Sequence, residues 1–105
     1  MILFKPHHVD MIKAGAKTQT RRVWKRPRAK IGSVHKVKTE LLSPNYHCLI
    51  RIVDVHQERL GDISVADVWA EGYQTLDEYA EVWASINGVW DPDQLVYVVS
   101  FEVVR

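Results

Sequence analysis

The chain has 105 residues, the size of one ordinary domain and too short for two, so we expect a single domain over residues 1–105. With 47 % hydrophobic and 26 % charged residues it has a globular composition, and no apolar run approaches the ~20 residues of a bilayer-spanning helix. The net charge of +1 hides a division: residues 1–39 hold eleven Lys or Arg against Asp10 alone, whereas residues 40–105 hold three Arg against twelve acids. That asymmetry points to a polyanion for the basic half, or to neutralisation of one half by the other across the fold.

Met1–Phe4 reads as a short strand. Lys5-Pro6 breaks the apolar run, so no signal peptide is expected, and Pro6 suits the first turn of a helix. His8, Met11 and Ile12 recur at helical spacing, with Gly15 as the stop. Residues 16–28 follow as a loop or short strand dense in cations. Ile31-Gly32-Ser33 reads as a turn into a strand over Val34–Leu42, and Ser43-Pro44-Asn45 as the next turn. Tyr46–His56 reads as a long central strand, with Cys48, Ile50, Ile52 and Asp54 on one face and Leu49, Arg51, Val53 and Val55 on the other. Cys48 is the single cysteine and is expected to be a small sheet or core residue; a lone cysteine fits a reducing, cytoplasmic setting.

Ser64 reads as the N-cap of a helix running through Trp69-Ala70-Glu71 to Gly72. Thr75-Leu76-Asp77-Glu78 has the form of a capping box. Leu76, Tyr79, Ala80, Trp83 and Ile86 then form an apolar stripe at helical spacing, closed by Asn87-Gly88. Gln94–Val104 alternates Leu95, Tyr97, Val99, Phe101 and Val103 on one face, a final strand. The order of elements indicates an α+β fold, a small barrel with short helices to one side.

The segment from Lys17 to Arg28 is the densest in chemistry. Lys17, Arg21, Arg22, Lys25, Arg26 and Arg28 can neutralise phosphates, and Trp24 can stack on a base or support an Arg. On an extended backbone Thr18, Thr20 and Arg22 share one face, and Lys17, Gln19 and Arg21 the other. Elsewhere the signals are thinner. His7, His8, His35, His47 and His56 have no metal-ligand spacing and no completing cluster, and neither a phosphate loop nor a dinucleotide fingerprint is present, so no metal and no cofactor is expected. His7 or His8 is a candidate for the wall of a ligand cleft. Trp69, Tyr79 and Trp83 read as core in preference to a stacking platform.

Gly15-Ala16-Lys17-Thr18-Gln19-Thr20-Arg21-Arg22 resembles the G-x-K-T-x-T-x-R signature of the ASCH domains, a branch of the PUA-like barrels. The resemblance extends through Ile31-Gly32-Ser33, Gly61-Asp62-Ile63-Ser64, Ala70-Glu71-Gly72-Tyr73 and the closing strand. It implies a PUA-like β-barrel and a ligand that is RNA or a modified nucleoside. It also implies, by likeness to small ASCH amidohydrolases acting on N4-acetylcytidine, a constellation of Lys17, Thr20 and Glu71.

Two readings follow. In one, the chain is a binding module, with Lys17, Thr18, Thr20, Arg21 and Arg22 in the cleft and Trp24, Lys25, Arg26 and Arg28 along the RNA. In the other it is an amidohydrolase. A Thr hydroxyl is a poor nucleophile without an adjacent base, and Lys17 can serve if burial and Arg21 and Arg22 depress its pKa. Glu71 would then move the proton to the leaving amine or position a water. The basic extension beyond the signature favours a longer RNA ligand, and a nuclease is disfavoured for want of a metal cluster or His pair.

Overall fold

The computed structural model describes residues 1–105. Its strands are β1 (Ile2–Leu3), β2 (Gln19–Arg22), β3 (Val34–Lys38), β4 (Cys48–Arg59) and β5 (Leu95–Val104), and its helices are α1 (Pro6–Lys13), α2 (Val65–Ala70) and α3 (Leu76–Asn87). All five strands join one mixed sheet in the order β1-β3-β4-β5-β2, with β1 parallel to β3 and every other pair antiparallel. The sheet curls into a half-barrel, giving the α+β architecture that the order of elements indicates.

Local chemistry accounts for the helix ends. Pro6 occupies the first turn of α1, and Gly15 at φ 78° provides the left-handed residue that ends it. Ser64 caps α2 by accepting from the Asp67 N–H, and Thr75 caps α3 by accepting from the Glu78 N–H. The Thr75 box is incomplete: the hydroxyl donates to Glu78 Oε1 at 3.3 Å, so the carboxylate meets the hydroxyl and not the Thr75 backbone N–H.

Two apolar cores lie on opposite faces of the sheet, separated by β5. Ile2, Phe4, Val37, Ile50, Ile52, Val99 and Phe101 pack with Val9 and Ile12 of α1. Val96, Val98 and Leu60 pack with Val68 of α2 and Tyr79 and Trp83 of α3. Val98 and Val99 are adjacent in sequence and both fully buried, which requires cover on each face. The expected single apolar face of the last strand therefore holds for Val99 and Phe101, with Val103 partly buried against the same core; at its start Val96 and Val98 are the buried residues, because α2 and α3 cover that side.

Three further differences have physical causes. The strand from Val34 stops at Lys38 because β4 pairs only with Val34–Val37, and Leu41 and Leu42 stand exposed in the turn beyond. The long strand begins at Cys48 and runs on to Arg59, since β5 keeps pairing with it through Leu95. A bulge between Ile52 and Asp54 flips its parity, so Val55 packs on the first core although Val53 is exposed. Cys48 is half-buried against that core, and burial raises its thiol pKa, as befits a sheet residue. No helix is long and apolar enough to cross a membrane.

Candidate functional site

After Gly15 the chain is pinned at three points. The Lys17 N–H donates to the Met11 carbonyl, the Thr18 N–H to the Ala70 carbonyl at the end of α2, and the Phe101 N–H of β5 to the Thr18 carbonyl. These bonds set Lys17 between α1 and α2 and start β2 against β5, with Thr20 opposite Val99 and Arg21 opposite Val98. Glu71 follows α2 as its C-cap, and Gly72 at φ 101° turns the chain away beyond it. The Lys17–Met11 bond and the Gly72 turn act within a few residues, whereas the two bonds of Thr18 bring distant segments side by side.

The result is a buried charge cluster. Lys17 and Glu71 are 3 % and 2 % exposed, and Lys17 Nζ donates to Glu71 Oε1 at 2.8 Å and to the Gln19 carbonyl at 2.9 Å. The other carboxylate oxygen, Glu71 Oε2, accepts from Arg21 Nη1 at 3.0 Å. Arg21 also reaches Gln19 Oε1 at 2.6 Å, Glu58 at 2.6 Å and Asp67 at 3.0 Å, and its buried Nε has no partner. Burial of ions costs several kcal/mol each, and an unmet buried donor costs about 1–3 kcal/mol more. Hydrophobic residues of similar volume would stabilise this position as well or better, so the cluster is not explained by stability alone.

The alternation expected for an extended segment holds. Lys17, Gln19 and Arg21 gather about Glu71, while Thr20 and Arg22 share the other face, where Arg22 Nε donates to Thr20 Oγ1 at 3.2 Å. Arg22 then crosses the gap between the two edge strands: its Nη2 donates to the Leu3 carbonyl at 2.7 Å, and its guanidinium lies 4.7 Å from the Phe4 ring centre. This contact replaces the backbone bonds that a closed barrel would have between β1 and β2.

A cavity of about 330 Å³ opens at that seam. Leu3, Phe4 and Lys5 line it from one edge, Lys17, Thr20, Arg21 and Arg22 from the other, and Tyr79, Trp83 and Asn87 of α3 cover it. Glu71, His8 and Thr39 complete the wall. Burial, against the pull of Glu71, holds the Lys17 amine below its ordinary pKa. Burial, then the charge of Lys17, pushes the His8 imidazole down to about 3, and its Nε2 pairs with the Tyr73 hydroxyl at 2.7 Å. Burial and then Glu71 raise the Tyr79 phenol, so it stays protonated.

Lys17, Thr20 and Glu71 thus share one cavity, and of the two candidate histidines His8 lines it. The other expected contacts are placed differently. Arg21 and Arg22 are committed to protein acceptors, which reduces what they can offer an RNA strand. Trp24 is half-buried against the first core, with its ring centre 6.0 Å from that of Tyr97. Thr18 is exposed, as are Lys25, Arg26 and Arg28. Trp69, expected in the core, is 62 % exposed: adjacent helix positions point about 100° apart, Val68 takes the buried side of α2, and the Trp69 indole N–H donates to the Gln74 carbonyl at 3.1 Å. Sequence reasoning put Gln19 on the face of Lys17 and Arg21 but gave no site role to Glu58 or Asp67; Glu58 lies in an otherwise ordinary strand, and Asp67 reads as part of a helix cap. No group of three or more His, Cys, Asp or Glu is arranged to hold a metal.

No protein-family model matches the chain, and no curated protein does. Solved structures do. An ASCH domain from Lactobacillus crispatus JV V101 superposes with a TM-score of 0.76 over 92 % of this chain and 70 % of that one, at 18 % identity. The fold is that of an ASCH domain. The ASCH protein of Zymomonas mobilis also matches, with a TM-score of 0.65, 13 % identity, and coverage of 99 % of this chain and 68 % of that one. A protein from Enterococcus faecalis V583 gives a TM-score of 0.71 at 23 % identity, covering 93 % and 67 %. On this ASCH fold the G-x-K-T-x-T-x-R segment occupies the edge strand and the turn before it, where it meets the Glu71 turn.

Proposed function

We propose that the chain is an amidohydrolase that removes an acyl group from the exocyclic amine of a nucleobase or nucleoside, with N4-acetylcytidine as the type substrate. The observation that carries this reading is the buried Lys17–Glu71 contact at 2.8 Å, opening with Thr20 onto one cavity of about 330 Å³. That volume is at the small-ligand end of the usual pocket range. Phe4, Trp83 and Tyr79 offer apolar walls for a flat ring, and Thr39 and Asn87 offer polar groups for its edge.

The chemistry follows from the donors present. Thr20 Oγ1 attacks the amide carbonyl, forming an O–C bond, while its proton passes to the Lys17–Glu71 pair. The C–N bond then breaks, and the proton goes to the leaving amine nitrogen. Water hydrolyses the resulting Thr20 ester, releasing the carboxylic acid and restoring the hydroxyl. Arg22 Nε, 3.2 Å from Thr20 Oγ1, favours the developing alkoxide, and the excess of Lys and Arg about the cavity favours the anionic tetrahedral intermediate.

Incubation with N4-acetylcytidine, followed by chromatography for cytidine and acetate, tests the reading. Thr20→Ala should lose about 10³-fold or more in kcat while still binding the nucleoside. Unchanged turnover by that variant would remove Thr20 from the mechanism. The exposed Lys25, Arg26 and Arg28, on the loop that leaves β2, support a second reading in which the base is presented within RNA.

A further inference from the structure

Arg21 falls on a variable position of the G-x-K-T-x-T-x-R segment, yet its side chain is the most heavily partnered in the molecule. Its guanidinium is fully buried and meets four acceptors from three directions: Glu71 Oε2 beyond α2, Asp67 within α2, Glu58 on β4 and Gln19 on its own strand. Gln19 is itself oriented, since its Nε2 donates to Ser100 Oγ at 3.1 Å, which turns its oxygen toward Arg21. The carboxylate of Glu71 is thereby held at both ends, Oε2 by Arg21 and Oε1 by Lys17.

We propose that Arg21 is a positioning residue, anchored by Glu58 and Asp67, that fixes the Glu71 carboxylate so that it addresses Lys17 across the cavity wall. The fork of the guanidinium matters here: Nη1 serves Glu71 and Gln19 while Nη2 serves the two anchoring acids. A Lys has one nitrogen and cannot divide its bonds in this way. Glu58 and Asp67 lie at the outer end, 21 % and 32 % exposed at the side chain, and do not touch the cavity residues Lys17 or Thr20. They reach Glu71 and Lys17 only through Arg21, while the second oxygen of Glu58 faces His56 Nε2 at 3.4 Å on the outer side.

The kinetic arm of the test rests on the proposed hydrolysis, and a second arm does not. Glu58→Gln, at a partly exposed site, should leave the melting temperature near that of the parent. It should lower kcat for N4-acetylcytidine about tenfold with KM little changed, the usual scale for an outer partner of a reacting group. Arg21→Lys should fall at least as far, so that retaining the charge does not rescue activity. The second arm follows the titration of Lys17 by NMR on protein carrying isotope-labelled lysine, without substrate. The groups facing Lys17 are Glu71, Arg21, Arg22 and His8. Loss of the Glu58 charge leaves Arg21 less neutralised and should move the Lys17 midpoint down, whereas Arg21→Met removes a cation and should move it up, each by about half a pH unit or more. Where the parent is active, a Glu58→Gln kcat within about twofold of it overturns the proposal. Where the parent does not hydrolyse the nucleoside, opposite shifts of the midpoint uphold the clamp, and coincident midpoints in the three proteins overturn it.

Discussion

His8 lies on the cavity wall at 8 % exposure, held by Tyr73, with Lys17, His7, Arg22 and Lys5 adding to the effect of burial. Its folded pKa near 3 and an unfolded value near 6.5 fix the sign of its contribution. As pH falls below the unfolded value, the unfolded chain takes up a proton that the folded chain refuses. Stability is therefore undiminished by His8 above about pH 6.5 and is lost progressively from there toward pH 3. The slope is at most about 1.4 kcal/mol per pH unit. Urea unfolding at neutral and mildly acid pH should show it, and His8→Gln, which keeps a partner for Tyr73, should flatten it; equal slopes in the two proteins would assign the acid loss elsewhere. At this scale the sequence was informative about Lys17 and Thr20, whose spacing along one short segment carries the signature. It read Arg21 as a cleft cation but did not reveal its partners, because nothing near position 21 shows that acids from positions 58, 67 and 71 will surround it.

Elements formed largely as their local chemistry requires. The caps of α2 and α3 were legible because a cap satisfies a backbone donor only two or three residues away. Thr75→Ala should cost about 1 kcal/mol, read as a lowered melting temperature with activity per folded molecule preserved. Gly72 differs in kind. Its φ of 101° suits glycine alone, and a side chain there would collide with the Met11 methyl group of α1. Gly72→Ala should cost more than the Thr75 change, about 1–3 kcal/mol, and should also reduce turnover because Glu71 is the adjacent residue. A variant with parental turnover and parental melting temperature would show that the turn tolerates the added carbon. The bulge at Val53 was not legible: alternation counts assume an unbroken ladder, and a single extra residue reverses every later side chain.

On the scale of the whole molecule, the charge division is neutralised across the fold only in part, through two of the eleven cations of residues 1–39. Lys17 and Arg21 of the basic half take Glu58, Asp67 and Glu71 of the acidic half as partners, and Arg22 is absorbed in closing the seam. Of the basic run, Lys25, Arg26 and Arg28 remain exposed. Three phosphate contacts on a single strand give a slope of log affinity against log salt of about −2. RNA binding measured across a salt series should give that shallow value, and charge reversal at the three positions should remove it while leaving hydrolysis of a free nucleoside intact. A slope twice as steep would return Arg21 and Arg22 to the interface.

The run from Lys17 to Arg22 shows where the sequence is sufficient. By itself it determined the helix ends, the order of strands and helices, and the alternation that puts Thr20 and Arg22 on one side and Lys17 and Arg21 on the other. Each depends on neighbours within a few residues. Only the tertiary structure decided that Lys17 would meet Glu71, 54 positions away, that both would be buried beside Thr20, and that Arg21 would turn inward. Those outcomes depend on β2 docking against β5 and on α2 ending beside Thr18. Both contacts join segments far apart in the chain, and the free energy that selects them comes from burying two cores at once, which no local pattern specifies.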